Sequence, residues 1–190
     1  MISTCPVSGI SFSADDHTYC VHGRKIPSVT GILKSTGLID DRWFSDGATW
    51  RGSVVHRCCE LWDKGKLNES TVDPQALPYL DAWREFCAKT KFKPRTVEVA
   101  RYHELGYCGT EDAENEEFDI DRKTGAAQKW HALQLAAYQQ FHPRPHTRRR
   151  FAVQLKSDGR YIATEYKGTT DWAAFQSCLN IHNWKGTNGY

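Results

Sequence analysis

No apolar stretch in this chain approaches the roughly 20 residues that cross a bilayer. The opening Met1-Ile2-Ser3-Thr4-Cys5-Pro6 is neither the apolar core of a secretory signal nor the arginine-rich pattern of a transit peptide. Seven cysteines (Cys5, Cys20, Cys58, Cys59, Cys87, Cys108 and Cys178) are odd in number, scattered, and contain no C-x-x-C pair. That argues against a disulfide framework and for free thiols in a reducing compartment, some of them core fillers. There is no internal repeat and no low-complexity tract. The expectation is a cytoplasmic protein, not secreted and with no membrane partner. At 190 residues it suits one domain, 1–190, with 1–45 as an N-terminal strand and helix extension.

Excess charge of either sign is also missing overall, at net +2, but the distribution is uneven. Between Glu98 and Asp121 nine carboxylates face one base, Arg101, so that segment is net −8 and the remainder +10. An acidic centre in a basic shell suits a metal site that receives a polyanion. A solvated acidic hairpin is the plainer alternative.

The pattern predicts short strands at 10–13 and 17–22, joined through 14–16 and closed by Gly23. A helix capped by Ser28 and ended by Gly37 follows, then a longer helix over 46–64 and an amphipathic one over 79–89. Strands are expected at 96–103, 105–113 and 116–123, a helix over 126–141 with Trp130, Leu133, Ala137 and Phe141 on one stripe, a hairpin of 151–156 and 160–166, and a last helix over 170–184. This order makes an α/β protein with a central mixed β-sheet flanked by helices.

In the strand ending at Lys123, Phe118 and Ile120 share one face, which puts Asp119, Asp121 and Lys123 on the other. If it pairs with the preceding strand about Glu114 and Asn115, Asp112 lies across from the Asp121 region. Two carboxylates then converge beside a lysine, hard ligands for Mg²⁺ or Mn²⁺ that leave room for water and a phosphate oxygen. Whether the lysine keeps its proton there depends on burial. On the 46–64 helix His56 and Glu60 are i,i+4 neighbours, with Arg51-Gly52 one turn earlier, and on 126–141 Gln134 and Tyr138 repeat that spacing. Each pair alone is also what ordinary helix-surface or buried hydrogen bonding gives.

Arg51-Gly-x-x-x-His56, Gly109-Thr-x-Asp112, Asp121-x-Lys123-Thr-Gly and Gln134-x-x-x-Tyr138 together resemble, in order and spacing, the RecB-like exonuclease branch of the PD-(D/E)XK nuclease superfamily. The upstream His17-x-Tyr19 through Gly23 and Pro27-Ser-Val-Thr30 is similar to the small phage-type nucleases and the mitochondrial genome maintenance exonuclease of that branch. The similarity spans about Asp15 to Tyr166. It implies a restriction-endonuclease-like core and a metal-dependent DNA nuclease, an exonuclease acting at DNA ends or in single-stranded DNA. It implies metal ligation by His56, Asp112, Asp121 and the Arg122 backbone carbonyl, with Lys123 as the catalytic lysine and Gln134 and Tyr138 orienting substrate. Glu60 and Glu98 match accessory acidic positions of some members. Recombination or replication proteins are the implied protein partners. Asp119 departs from the pattern, standing where relatives carry an apolar residue. Cys178 is alone near the C-terminus where some relatives gather three cysteines, so no iron–sulfur cluster is expected. With no helicase motif, any unwinding falls to a partner or to a single-stranded substrate.

Arg144, Arg148, Arg149, Arg150, Lys156, Arg160 and Lys167 crowd the C-terminal hairpin. Arg51, Arg148, Arg149 and Arg150 are the candidate DNA-binding residues, by salt-dependent phosphate contact. Trp43, Trp50 and Tyr107 are candidates for base stacking, although core packing is the commoner fate of such residues. Two rival readings stand beside the nuclease: a nucleic-acid-binding accessory or inhibitory protein without turnover, and a metal hydrolase acting on something other than nucleic acid.

Overall fold

The computed structural model describes residues 9–13, 18–40 and 46–190; Cys5, the turn at 14–16, His17 and Trp43 lie outside the described residues. Three short strands, β1 (Ile10–Ser13), β2 (Thr18–Val21) and β3 (Arg24–Ile26), form an antiparallel sheet. β3 was not expected. His22 and Gly23, with φ of +48° and +77°, make a two-residue turn that returns the chain along β2, the backbone such hairpins need. Helix α1 (Val29–Ser35) starts where Ser28 accepts the Gly31 N–H at 2.9 Å, the expected cap.

Helices α2 (Asp46–Asp63) and α3 (Leu77–Thr90) precede β4 (Thr96–His103), β5 (Tyr107–Glu114) and β6 (Phe118–Lys123). Then come α4 (His131–Gln139), β7 (Arg149–Leu155), β8 (Tyr161–Tyr166) and α5 (Asp171–Asn188). β4 to β8 form one sheet in sequence order, antiparallel except for the parallel pair β6 and β7, which α4 connects. The fold is thus α/β, a mixed sheet between helices.

Val55 and Cys59 of α2 and Leu80, Trp83 and Phe86 of α3 pack with Ala113, Ile120, Val153 and Leu155 of the sheet. On the opposite side Ile32, Leu33, Ala137, Phe141, Phe175 and Leu179 surround Tyr107. Each fully buried side chain of this size stabilises the fold by roughly 1.5–3 kcal/mol. The small sheet rests on β4 and β5 through Tyr19, Val21, Ala100, Tyr102 and Cys108. The six described cysteines are free thiols, and all but Cys20 are buried. Among the described residues no helix is long and apolar enough to cross a membrane.

The clearest departure is at α4, which begins at His131 rather than 126. Residues 124–130 form a loop instead, pinned where the Gln128 N–H donates to His131 Nδ1 at 3.1 Å. That loop borders the site.

Candidate active site

The sheet opens in the middle of β5. Ala113 pairs with Ile120 and Glu114 with Asp119, but there the β5–β6 ladder stops. The β4–β5 register also has a gap between Val97↔Ala113 and Val99↔Glu111, at Glu98 and Asp112. Glu98 takes φ of +52°, a conformation costly for a residue with a Cβ and concentrated at functional sites. Glu111 meets His142, which follows α4, whereas Ala113 packs beneath α2 and α3. The two-residue alternation of faces is therefore broken at Asp112. Its carboxylate replaces a ladder carbonyl, accepting the Arg122 N–H at 2.6 Å.

His56 of α2 reaches into this opening. Its Nδ1 is 3.5 Å from Glu98 Oε1 and 3.5 Å from Asp112 Oδ1, and these three donor atoms lie within 4.8 Å of one another. Its Nε2 is 2.9 Å from the Arg122 carbonyl oxygen. Donation of Nε2–H to that carbonyl leaves Nδ1 facing the carboxylates, the way metal-ligating histidines are oriented. Two hard oxygens and an imidazole nitrogen around one point fit a divalent cation. The Arg122 carbonyl, expected as a ligand, is engaged in orienting the imidazole. Burial opposes the positive charge on His56, but Asp112 and Glu98 outweigh it and raise the pKa to about 10. Burial would raise Asp112, yet His56, then Arg122 and Lys123, hold it well below the usual carboxylate range.

Asp121 stands beside this group rather than in it. Its carboxylate faces Lys123, Oδ2 to Nζ 2.8 Å. Burial pushes its pKa up to about 6, with Asp112 adding to the rise and Lys123 opposing it. Lys123 Nζ also donates to Gln134 Oε1 at 3.2 Å, and Gln134 Nε2 donates to Tyr138 OH at 3.1 Å. Asp121, Lys123, Gln134 and Tyr138 are thus one chain of contacts from β6 to α4. Tyr138 is neutral, its pKa raised well above 10 by burial first and by Asp121 next.

Gly109 allows Tyr138 its place, since a Cβ there would overlap the phenol ring and meet Phe141 Cε2 at 3.4 Å. Gly109→Ala is accordingly expected to cost about 1–3 kcal/mol in urea unfolding. A change below a few tenths of a kcal/mol would mean the ring does not depend on that space.

Two clefts flank His56 and Gly52 beneath the first half of α2. One, of about 430 Å³, is lined by Phe12, Tyr19, Thr110, Glu98 and Asp112, among others. The other, of about 330 Å³, is lined by Arg51, Lys123, Thr124, Gln128, Trp130 and His131, among others. Arg51 Nε is buried there without a hydrogen-bond partner.

Several expected residues lie elsewhere. Glu60 is held by Arg57 and Lys64, both at 2.6 Å, on the outer side of α2; the acid that meets His56 is Glu98. Arg148 is buried on Asp119, Glu114 and the Glu116 and Phe118 carbonyls. Arg150 is buried on the Ala132 and Gly168 carbonyls and Asp171. Neither can offer its guanidinium to DNA. Arg149 is exposed, but it pairs with Glu165 and lies over Phe118 and Phe151. Tyr107 is fully buried, donating to the Ala137 carbonyl at 3.0 Å, so it cannot stack a base; Trp50 is 47% exposed and can.

Asp119 does not crowd the site either. With Glu111 and His142 it forms a second buried cluster that Arg148 and Arg101 neutralise. What sequence reasoning missed is Asp63, buried at the end of α2 and bonded to Arg122 at 2.7 Å. Its only signal was a carboxylate in the apolar last turn, Leu61-Trp62-Asp63.

No family model and no curated protein matches the sequence. Among solved structures the chain is similar to one from Eubacterium rectale described as "Putative exonuclease", at 13% identity over 86% of this chain and 73% of that one, with a TM-score of 0.48. A likeness so slight carries no activity across.

Proposed function

We propose that this protein is a metal-dependent DNA nuclease of the PD-(D/E)XK kind, an exonuclease hydrolysing phosphodiester bonds at DNA ends or in single-stranded DNA. The observation that carries the reading is the meeting of two groups at the opening between β5 and β6. One is the cation-binding set His56, Glu98 and Asp112; the other is Lys123, held by Asp121 and Gln134. A divalent ion such as Mg²⁺ or Mn²⁺ in such a set polarises a phosphate and lowers the pKa of water.

The chain's own residues supply the rest. Asp112 and Asp121 keep negative charge at the opening, and the Arg122 carbonyl fixes the ring of His56. Lys123 presents an amine that can hold the attacking water or offset charge at the phosphate in the transition state. Gln134 and Tyr138 restrict where that amine can be. Arg51, its Nε without a partner, is a phosphate contact at the neighbouring cleft. The basic hairpin is not part of the reading, since its inner arginines are structural.

The test is a time course on end-labelled single- and double-stranded DNA, blocked at either end, with Mg²⁺, Mn²⁺ or chelator. Metal-stimulated release of mononucleotides from one end is expected, and Lys123→Ala should lower it by about 10²–10³-fold. Cleavage by a folded Lys123→Ala protein at the normal rate would remove the site. Salt-dependent DNA binding with no turnover would favour the accessory-protein reading instead.

A further inference from the structure

We propose that Trp130 is a positioning residue for Lys123, the third wall that holds the ammonium against Asp121 and Gln134; the proposal rests on the nuclease reading. Lys123 is the last residue of β6, and its side chain is one-fifth exposed at the edge of a cleft. A lysine stem has four rotatable bonds, so two polar contacts on one side leave it free to swing toward water. The indole of Trp130 stands within 5.5 Å of Nζ, ring centroid to nitrogen, where the negative face of the ring attracts a cation.

The ring is itself held. Trp130 is the residue before α4, and it meets His131 edge to face with centroids 4.1 Å apart at 80°. His131 is buried, and its Nδ1 accepts the Gln128 N–H, which ties the 124–130 loop to the helix. Burial, and then the charge of Lys123, lower the His131 pKa to about 3, so this neighbour stays neutral beside the ammonium. The indole packs against the cluster around Tyr107 and also borders the cleft with Lys123.

The experiment compares the unaltered chain with Trp130→Leu, Trp130→Phe, Lys123→Met and the Trp130→Leu/Lys123→Met pair. With Mn²⁺ and end-labelled single-stranded DNA, Trp130→Leu should lower kcat by about 10-fold with KM within about twofold, and Trp130→Phe, which keeps an aromatic face, should restore most of the rate. In urea without metal, the two single changes should couple, their joint effect on the unfolding constant departing by about 2- to 5-fold from the product of the separate effects.

A cycle that multiplies out would overturn the proposal, as would phenylalanine no better than leucine. A raised KM at constant kcat would also overturn it, making the indole a stacking surface for substrate. If the unaltered protein cuts no DNA, the nuclease reading fails and takes this role with it. Cleavage with an uncoupled cycle removes the role alone.

Discussion

Asp121→Asn should cut DNA about 10³-fold more slowly than the wild type and yet resist urea better at neutral pH. The activity loss follows from position, since Asp121 is the carboxylate that holds Lys123 at 2.8 Å and adds its charge to that of Asp112. The gain in stability follows from burial. The side chain is almost wholly enclosed, and its folded pKa is raised to about 6 from 3.8. Between those two values the folded protein binds a proton that the unfolded chain does not, so stability falls as pH rises through that window. Above it the whole cost is present, about 3 kcal/mol for a shift of this size.

Asparagine resembles the protonated carboxyl. The two proteins should therefore unfold alike near pH 4, with the variant pulling ahead up to pH 6 and keeping its lead beyond. Comparing them cancels, to first order, other groups that titrate in the same window, Asp119 among them. A variant less stable than the wild type at pH 7 would mean that the Lys123 contact outweighs burial, and an unchanged cleavage rate would take Asp121 out of the chemistry.

Arg122→Met is expected to be the most damaging single change to the fold, at about 3–5 kcal/mol, because it strands charge in the interior. The guanidinium is wholly buried, donating to Asp63 Oδ2 at 2.7 Å, Glu98 Oε1 at 3.0 Å and the Asp112 carbonyl at 2.9 Å, and it lies over the Trp83 ring at 5.0 Å. Methionine replaces most of the stem and none of these bonds. Among the described residues Asp63 would keep only the Trp83 indole N–H, at 2.9 Å, as a side-chain contact. Adding Asp63→Asn should therefore recover part of the loss, since it removes the stranded charge and retains an acceptor for Trp83. Urea unfolding of the two single variants and the pair measures this. If Asp63→Asn worsened the Arg122→Met protein, unpaired charge would not be the source of the cost. Glu98 also loses its anchor, so the variant should hold Mn²⁺ more weakly even where it is folded.

The strand that carries Asp121 and Lys123 was legible because alternation is local. Phe118 and Ile120 join the core under α2 and α3, and Asp121 and Lys123 face α4, as the two-residue period requires. The meeting of Gln134 and Tyr138 was equally legible from helical spacing. Glu60 was misjudged by the same kind of spacing. Four residues from His56 is one turn along α2, but the packing of that helix on the sheet turns Glu60 toward Arg57 and Lys64 and leaves His56 to an acid from β4. The Arg148-Arg149-Arg150 run reads as a solvent-facing basic patch only while its partners are unknown. Those partners are Asp119, Glu114 and the Glu116 and Phe118 carbonyls for Arg148, Glu165 for Arg149, and Asp171 with the Ala132 and Gly168 carbonyls for Arg150, all remote in sequence.

By itself the sequence determined most of the elements, which residues share a face of β6 and α4, and the chemistry available at Asp112, Asp121 and Lys123, because hydrophobic period and side-chain type are properties of neighbouring residues. Only the tertiary structure decided that β5 breaks step at Asp112, that Glu98 rather than Glu60 meets His56, and which arginines are sealed inside. Those outcomes depend on which distant segments are packed together, and a buried charge takes its partner from whatever the fold brings within reach.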